Sequence, residues 1–162
     1  MTVYYCKNDI SVRTAVPCDV EKLMGRLRRS DVDEVWACGH RTPEDALLFS
    51  MYASILAFTV ERKRTPVAMF GIAPDTITGT AASVWLLGTN DINKFKKTFM
   101  LLSRSFIPFM QRLYPVLYNW VDERNTVSIA WLQRCGAEFH EPKPFGAEGK
   151  PFRYFTLTGK RK

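Results

Sequence analysis

The sequence predicts one α/β domain in which a mixed central sheet carries helices on both faces. Three observations lead there. Hairpin-joined strands occupy the middle of the chain, and helical crossovers flank them. The run Ser83-Val84-Trp85-Leu86-Leu87 is unbroken apolar after its first residue, as a strand buried on both faces would be. After it, Ile92, Phe95, Phe99, Leu102, Phe106, Phe109 and Leu113 recur at spacings of three and four, the strongest helical period in the chain. A length of 162 residues suits a single domain over 1–162.

Composition bounds the class of protein. Apolar residues make up 46% and charged residues 24%, ordinary for a globular chain, while eleven Phe and four Trp supply a heavy aromatic core or interface. Net charge +7 allows an acidic partner, but no basic cluster interleaves with aromatics, so nucleic-acid binding is not expected. The tail Lys160-Arg161-Lys162 supplies part of the excess charge. Cys6, Cys18, Cys38 and Cys135 form no C-x-x-C pair and only His40 and His140 accompany them, which argues against a metal site. The start lacks a charged-then-apolar leader and no run is long and apolar enough to span a bilayer, so the expected setting is a reducing cytoplasm.

Each element has a local reason. Ile10–Thr14 alternates as a strand, and Asp19–Arg28 sets Val20, Leu23, Met24 and Leu27 on one helical face. Val35–Cys38 is apolar but brief. Thr42-Pro43-Glu44-Asp45 is a helix start, with a capping hydroxyl, proline at the first position and acids on the dipole, so a helix runs to about Tyr52. Ile55–Glu61 and Thr65–Ala73 form a hairpin around Arg62-Lys63-Arg64, and Pro74–Thr80 is a loop. Thr89-Asn90-Asp91 caps the Phe-rich helix, which Pro108 should kink. Leu117–Val121 is a further strand, Val127–Cys135 a short helix closed by Gly136, and Ala137–Glu141 pairs with Phe152–Leu157.

The order β-α-α-β-β-β-α-β-α-β-β resembles the GNAT acetyltransferase fold. Asn125, Ala130 and Gly136 in NTVSIAWLQRCGAEF resemble that family's segment in which an Asn opens a short helix and a Gly closes it. A narrower resemblance covers residues 117–157. Asn125-Thr126, the run Gly136-Ala137-Glu138-Phe139-His140-Glu141, the final Phe155-Thr156 and the basic Lys94–Lys97 are similar to the internal virion protein of short-tailed, podovirus-type phages. That family is described as an acyltransferase-like scaffold with a role in virion assembly.

The GNAT resemblance implies acetyl-CoA as cofactor, held on a glycine-rich turn whose amides face the pyrophosphate. Here the turn reads Gly88-Thr89-Asn90-Asp91-Ile92-Asn93-Lys94. Only Gly88 remains, and Asp91 sets a carboxylate where an anion should bind. The carried-over cofactor positions are Leu86, Leu87, Gly88, Asn93, Lys94 and Asn125, with Lys96 and Lys97 as further phosphate partners. The family's acid tyrosine falls on Leu132, which transfers no proton. Tyr118 and His140 are the candidate replacements, and Glu123 is the candidate base. The gap where Val84–Leu87 and Leu117–Val121 part would offer backbone groups to a pantetheine arm.

The leading expectation is a degenerate acetyltransferase that acts through protein contacts in building the internal virion, with Trp36, Phe49, Tyr52 and the Phe145/Phe152 loop as contacts. One alternative is an active acetyl-CoA-dependent N-acetyltransferase modifying a host or phage amine, with coenzyme A as product. The other is an early phage protein that binds a host enzyme. Host cytoplasm is the expected place, with the virion as the alternative.

Overall fold

The computed structural model describes residues 1–159; the basic tail 160–162 lies outside them. Strands β1 (Val3–Lys7) and β2 (Ile10–Thr14) lead into helices α1 (Pro17–Leu23), α2 (Arg29–Gly39) and α3 (Pro43–Ala53). Strands β3 (Leu56–Arg62), β4 (Thr65–Pro74) and β5 (Ala81–Gly88) follow. A 3-10 turn (Asn90–Phe95) then precedes helix α4 (Lys96–Gln111), strand β6 (Val116–Asp122) and helix α5 (Thr126–Arg134). Strands β7 (Glu138–Phe139), β8 (Lys143–Phe145) and β9 (Lys150–Thr158) close the chain.

The nine strands form one sheet in the order β1-β2-β3-β4-β5-β6-β9-β7, with β8 also on the outer side of β9. All neighbours are antiparallel except β5 and β6. The β3–β4 hairpin closes on Lys63 and Arg64, both at positive φ (51° and 62°), which matches the right-handed strand twist that two-residue turns require. In β4, Pro66 through Ile72 are buried, and the two faces serve different helices. Met69 packs with Val20, Leu23, Leu47 and Met51 of α1 and α3. Ala68, Phe70 and Ile72 pack with Phe99, Leu102, Phe106 and Met110 of α4. The expected mixed sheet with helices on both faces is what the chain forms.

Several boundaries differ from expectation. The helix expected over Asp19–Arg28 ends at Leu23, because Gly25 takes φ +71° and turns the chain. Val35–Cys38 is part of the eleven-residue helix α2. Thr89 caps the 3-10 turn, accepting the Asp91 amide at 3.3 Å, and does not cap the long helix. Helix α4 starts at Lys96 behind Phe95, which provides no side-chain cap, and it runs through Pro108 to Gln111. The expected strand 137–141 shrinks to Glu138–Phe139, while β1 and β8 are additional.

The feature that positions the site is a split. Strands β5 and β6 pair only over Ala81–Ser83 with Val116–Tyr118 and then part, so Val84–Gly88 and Asn119–Asp122 border an opening in the middle of the sheet. On its far side β6 stays fully paired with β9.

Candidate active site

Parting two central strands strips backbone groups of their ladder partners, and buried N–H and C=O groups must find others. Side chains supply some of them here. Asn119 bridges the split by donating to the Val84 carbonyl at 2.7 Å, and its own oxygen accepts the Trp120 amide at 2.8 Å. Helix α2 brings two carboxylates to the opening, at positions i and i+3 and so on one face. Asp31 accepts the Gly88 amide at 2.9 Å, and Glu34 accepts the Asp122 amide at 3.2 Å.

Helix α2 is pinned at both ends. The Arg28 amide donates to the Gly88 carbonyl (2.9 Å), and the Arg28 guanidinium grips Asp31 at 3.0 Å. At the other end the β8–β9 turn closes on the helix. The Ala147 and Glu148 amides donate to the Cys38 and Ala37 carbonyls at 3.0 and 3.3 Å. Two of the carbonyls a helix terminus leaves unpaired are thereby satisfied.

Around the split runs a channel of about 450 Å³ that reaches both sides of the sheet. On one side it is bordered by Glu34, Cys38, Arg41 and Phe49, and on the other by Phe99, Ser103, Ser128 and Trp131. Leu86 and Leu87 of β5 and Val121 of β6 stand between. Its lining is largely apolar with a few convergent polar groups, the usual character of a small-molecule site.

Glu34 is the chemically distinctive group in it. Burial pushes its carboxyl up to about 7, and the charges of Asp31 and Asp122 add to that, against the hydrogen bonds from Asn125 and the Asp122 amide. The Asn125 amide donates at 3.1 Å to the same Oε2 that accepts from Asp122, which leaves Oε1 as the oxygen open to a ligand. Neighbouring Asp122 behaves differently. Burial raises its carboxyl, but hydrogen bonds from Arg124 outweigh that and hold it below the ordinary value. Cys38 is pushed up to about 12, chiefly by burial and then by Glu34, so it stays a thiol.

The sequence-derived candidates divide between this site and other places. Leu86, Leu87 and Asn125 line the channel, and Asn125 also caps α5 by accepting the Ser128 amide at 3.3 Å. Gly88 sits at its edge with its amide on Asp31. A Cβ there would stand 2.5 Å from Ile92 Cδ1, so its bareness serves packing and leaves no phosphate cradle at that glycine. Asn93 is exposed on the 3-10 turn, and Lys94 pairs with Asp91 at 2.5 Å. Glu123, His140 and Tyr118 do not line the channel. Glu123 is bound to Arg153, whose hydrogen bond is the main cause holding its carboxyl below the usual range. Tyr118 donates to Asp75 at 2.5 Å and is pushed up to about 12 by burial and that carboxylate. His140 is exposed, its ring 5.4 Å from that of Tyr154. Leu132, at the carried-over tyrosine position, is buried and lines the channel.

Of the apolar residues expected to be contacts, Trp36, Phe49 and Tyr52 are exposed at 50%, 60% and 71%. Phe152 is core instead, and Phe145 stacks on Trp120 at 4.4 Å. Among the described residues no His, Cys, Asp and Glu cluster suits a metal ion, and no helix is long and apolar enough to cross a membrane.

The split sheet matches solved acetyltransferases along nearly the whole chain. A candidate ribosomal-protein-serine acetyltransferase from Vibrio cholerae is 22% identical, with a TM-score of 0.67 over 98% of this chain and 100% of that one. A ribosomal-protein-S5-alanine acetyltransferase from Vibrio fischeri is 14% identical (TM-score 0.68, 99% and 98%). A spermidine N-acetyltransferase from Vibrio cholerae, solved with CoA and spermine, is 11% identical (TM-score 0.68, 94% and 96%). No family model matches the chain, and no curated protein does. The fold is that of the GNAT acetyltransferases.

Proposed function

We propose that this chain binds an acyl-pantetheine thioester of the coenzyme A type in the split and transfers its acyl group to an amine, with Glu34 as the general base. The observation that carries this reading is Glu34 itself: a carboxyl poised at about 7, in a channel that opens where the sheet parts. A base whose affinity for protons matches the working pH is the effective one.

The carbon–sulfur part of the ligand fits better than the phosphates do at their usual place. The channel is apolar and bordered by the β5 edge at Leu86 and Leu87, which suits a pantetheine arm. The Gly88 cradle is filled by Ile92, so the phosphates would be held one turn later. There helix α4 begins without a side-chain cap, beside Lys96 and Lys97. When bound, the thioester supplies the acyl group. Glu34 takes the proton from the attacking amine, Asp122 and Asn125 fix the carboxyl that does so, and the same proton balances the departing thiolate. Leu132 offers no proton, so the acid step of the tyrosine-bearing enzymes has no counterpart at that position.

Calorimetric titration of coenzyme A into the purified protein tests the binding half. Acetyl transfer to a panel of primary amines by wild type and Glu34→Gln tests the other. One-to-one binding with turnover that the variant loses by about 100-fold or more is expected. Absence of heat at high ligand overturns the reading.

A second reading takes the chain as a scaffold that has lost its chemistry and works by binding proteins, in assembling the phage internal virion or on a host enzyme. It is favoured by Leu132, by the Gly88 amide being taken by the chain's own Asp31, and by exposed Trp36, Phe49 and Tyr52. Failure of coenzyme A to bind would leave it standing.

A further inference from the structure

We infer that the acyl donor carries a chain longer than acetyl, of medium length, whose hydrocarbon tail lies beneath the second half of helix α4. This rests on the thioester reading above and names the donor it takes.

The channel does not end at the split. Beyond the parted edges it continues along the α4 side of the sheet and is walled there by Val60, Phe70, Phe106, Ile107, Met110 and Leu157. All six belong to the main core, where close packing normally leaves no void larger than a water molecule. Among the six, Phe70, Phe106 and Ile107 each keep 8% of their surface accessible, while Val60, Met110 and Leu157 keep 1–3%. These three line the channel, and their accessible surface faces it. From Phe106 to Met110 the wall spans about 6 Å of helix, more than the single methyl of an acetyl group would use. No charged side chain is among the six, and the nearby polar groups of α4 are satisfied internally: Ser103 donates to the Phe99 carbonyl at 2.8 Å and accepts from Trp131 at 3.1 Å. A dry apolar passage of this kind takes hydrocarbon and rejects polar groups.

The geometry also fixes which way the chain would run. The polar groups Glu34, Asn119 and Asn125 sit at the split, where a thioester carbonyl and an amine belong. The apolar end lies toward Met110, near Leu117, where β5 and β6 are closed again.

The test compares coenzyme A, acetyl-CoA and octanoyl-CoA by calorimetry on the full chain, with Ile107→Phe as the variant that fills the passage. Each methylene removed from water favours binding, so octanoyl-CoA should bind at least about tenfold more tightly than acetyl-CoA. Ile107→Phe should abolish that preference while leaving acetyl-CoA binding within about twofold, with a circular-dichroism melt confirming that the variant folds. Equal binding of the two thioesters would overturn the chain-length inference and leave the thioester reading intact. Binding of neither would overturn both. A preference that survives both Ile107→Phe and Val60→Phe, each folded, would place the tail elsewhere and also overturn the inference.

Discussion

Asp31 accepts the backbone amide of Gly88 at 2.9 Å across 57 residues of sequence, and with the Arg28 amide on the Gly88 carbonyl this bond ties helix α2 to the end of the parted strand β5. The amide is buried beside a strand edge with no ladder partner, so its loss would leave an unpaired donor. Asp31→Ala should therefore cost about 1–3 kcal/mol in urea unfolding, with Asp31→Asn closer to wild type because its oxygen can still accept. It should also lower the proton affinity of Glu34, since the Asp31 charge is one of the causes that raise it. A variant with wild-type stability and an unmoved pH profile would show that the bond matters to neither.

Glu34 gives the fold a pH dependence of definite sign. Its folded value is raised to about 7 from 4.5, mainly by burial. Between those values the native protein holds a proton that the unfolded chain has released, so stability falls as pH rises from 4.5 to 7. Glu34→Gln keeps the acceptor for Asp122 and Asn125 but carries no charge. It should melt close to wild type at pH 5 and be the more stable protein at pH 8, by on the order of 1–3 kcal/mol. Activity has the opposite preference, because the base must be ionised: turnover should climb through about pH 7 and do so only with Glu34 present. Identical melting curves at pH 8 would contradict the buried, raised carboxyl.

The residues that made the fold legible and those that make the site differ in kind. The Phe-rich helix, the β3–β4 hairpin and the strand Ser83–Leu87 announce themselves because each buries an apolar face, and burial writes a period into the sequence. Helix α2 does not. Its inward face carries Asp31, Glu34 and Cys38, so Arg29-Ser30-Asp31-Val32-Asp33-Glu34 reads as a polar connection and only Val35–Cys38 looks structured. The same property that hides the helix shapes the split: its carboxylates point into it and take backbone amides that a continuous sheet would have paired. Leu86, Leu87 and Asn125 were within reach because the GNAT resemblance carries them over, the first two on a strand with a clear apolar run and the third at a helix start. Glu34 was not, since nothing local distinguishes it from Asp33 or Glu21. Thr89 is a cap, but of the 3-10 turn and not of the long helix, and its sequence does not separate the two because a 3-10 turn and an α-helix start with the same side chains.

Gly146 holds the far end of α2. It takes φ +74°, and a Cβ there would lie 2.5 Å from the Ala37 carbonyl and 2.7 Å from Cys38 Cα. Both atoms are backbone and cannot swing away. Gly146→Ala should combine the strain of a left-handed alanine with an overpacked contact, costing about 2–4 kcal/mol. The loss should be felt locally, as faster amide exchange across residues 34–39, before the sheet itself opens. The control is Gly149→Ala, also at positive φ (60°) but with nothing within 4 Å of its Cβ; it should cost only about 1 kcal/mol. Equal effects at the two positions would mean that the contact with α2 carries no weight.

The acid limit of stability should be set at the β2–β3 end of the sheet, by Arg13 and Asp19. The Arg13 guanidinium on β2 grips Asp19 of α1 with two bonds of 2.7 Å and also reaches Glu61 on β3, while Thr59 donates to Asp19 at 2.7 Å. Burial pushes the Asp19 carboxyl up, but the bonds from Arg13, Thr59 and the Val16 amide outweigh it and hold it below its ordinary value. A depressed carboxyl contributes stability above the unfolded value of 3.8 and loses it as pH falls through the folded one, so this network should fail only in strong acid. Removing one partner is worse than removing both, because Arg13 is itself buried and would be left without its main counter-charge. Asp19→Ala should cost about 3–5 kcal/mol, whereas the double variant Arg13→Met with Asp19→Leu should recover most of that loss. A double-mutant cycle by urea unfolding at pH 7 reads the difference directly. If the double variant is as unstable as Asp19→Ala alone, the cost lies in lost packing between α1 and the sheet and not in a stranded charge.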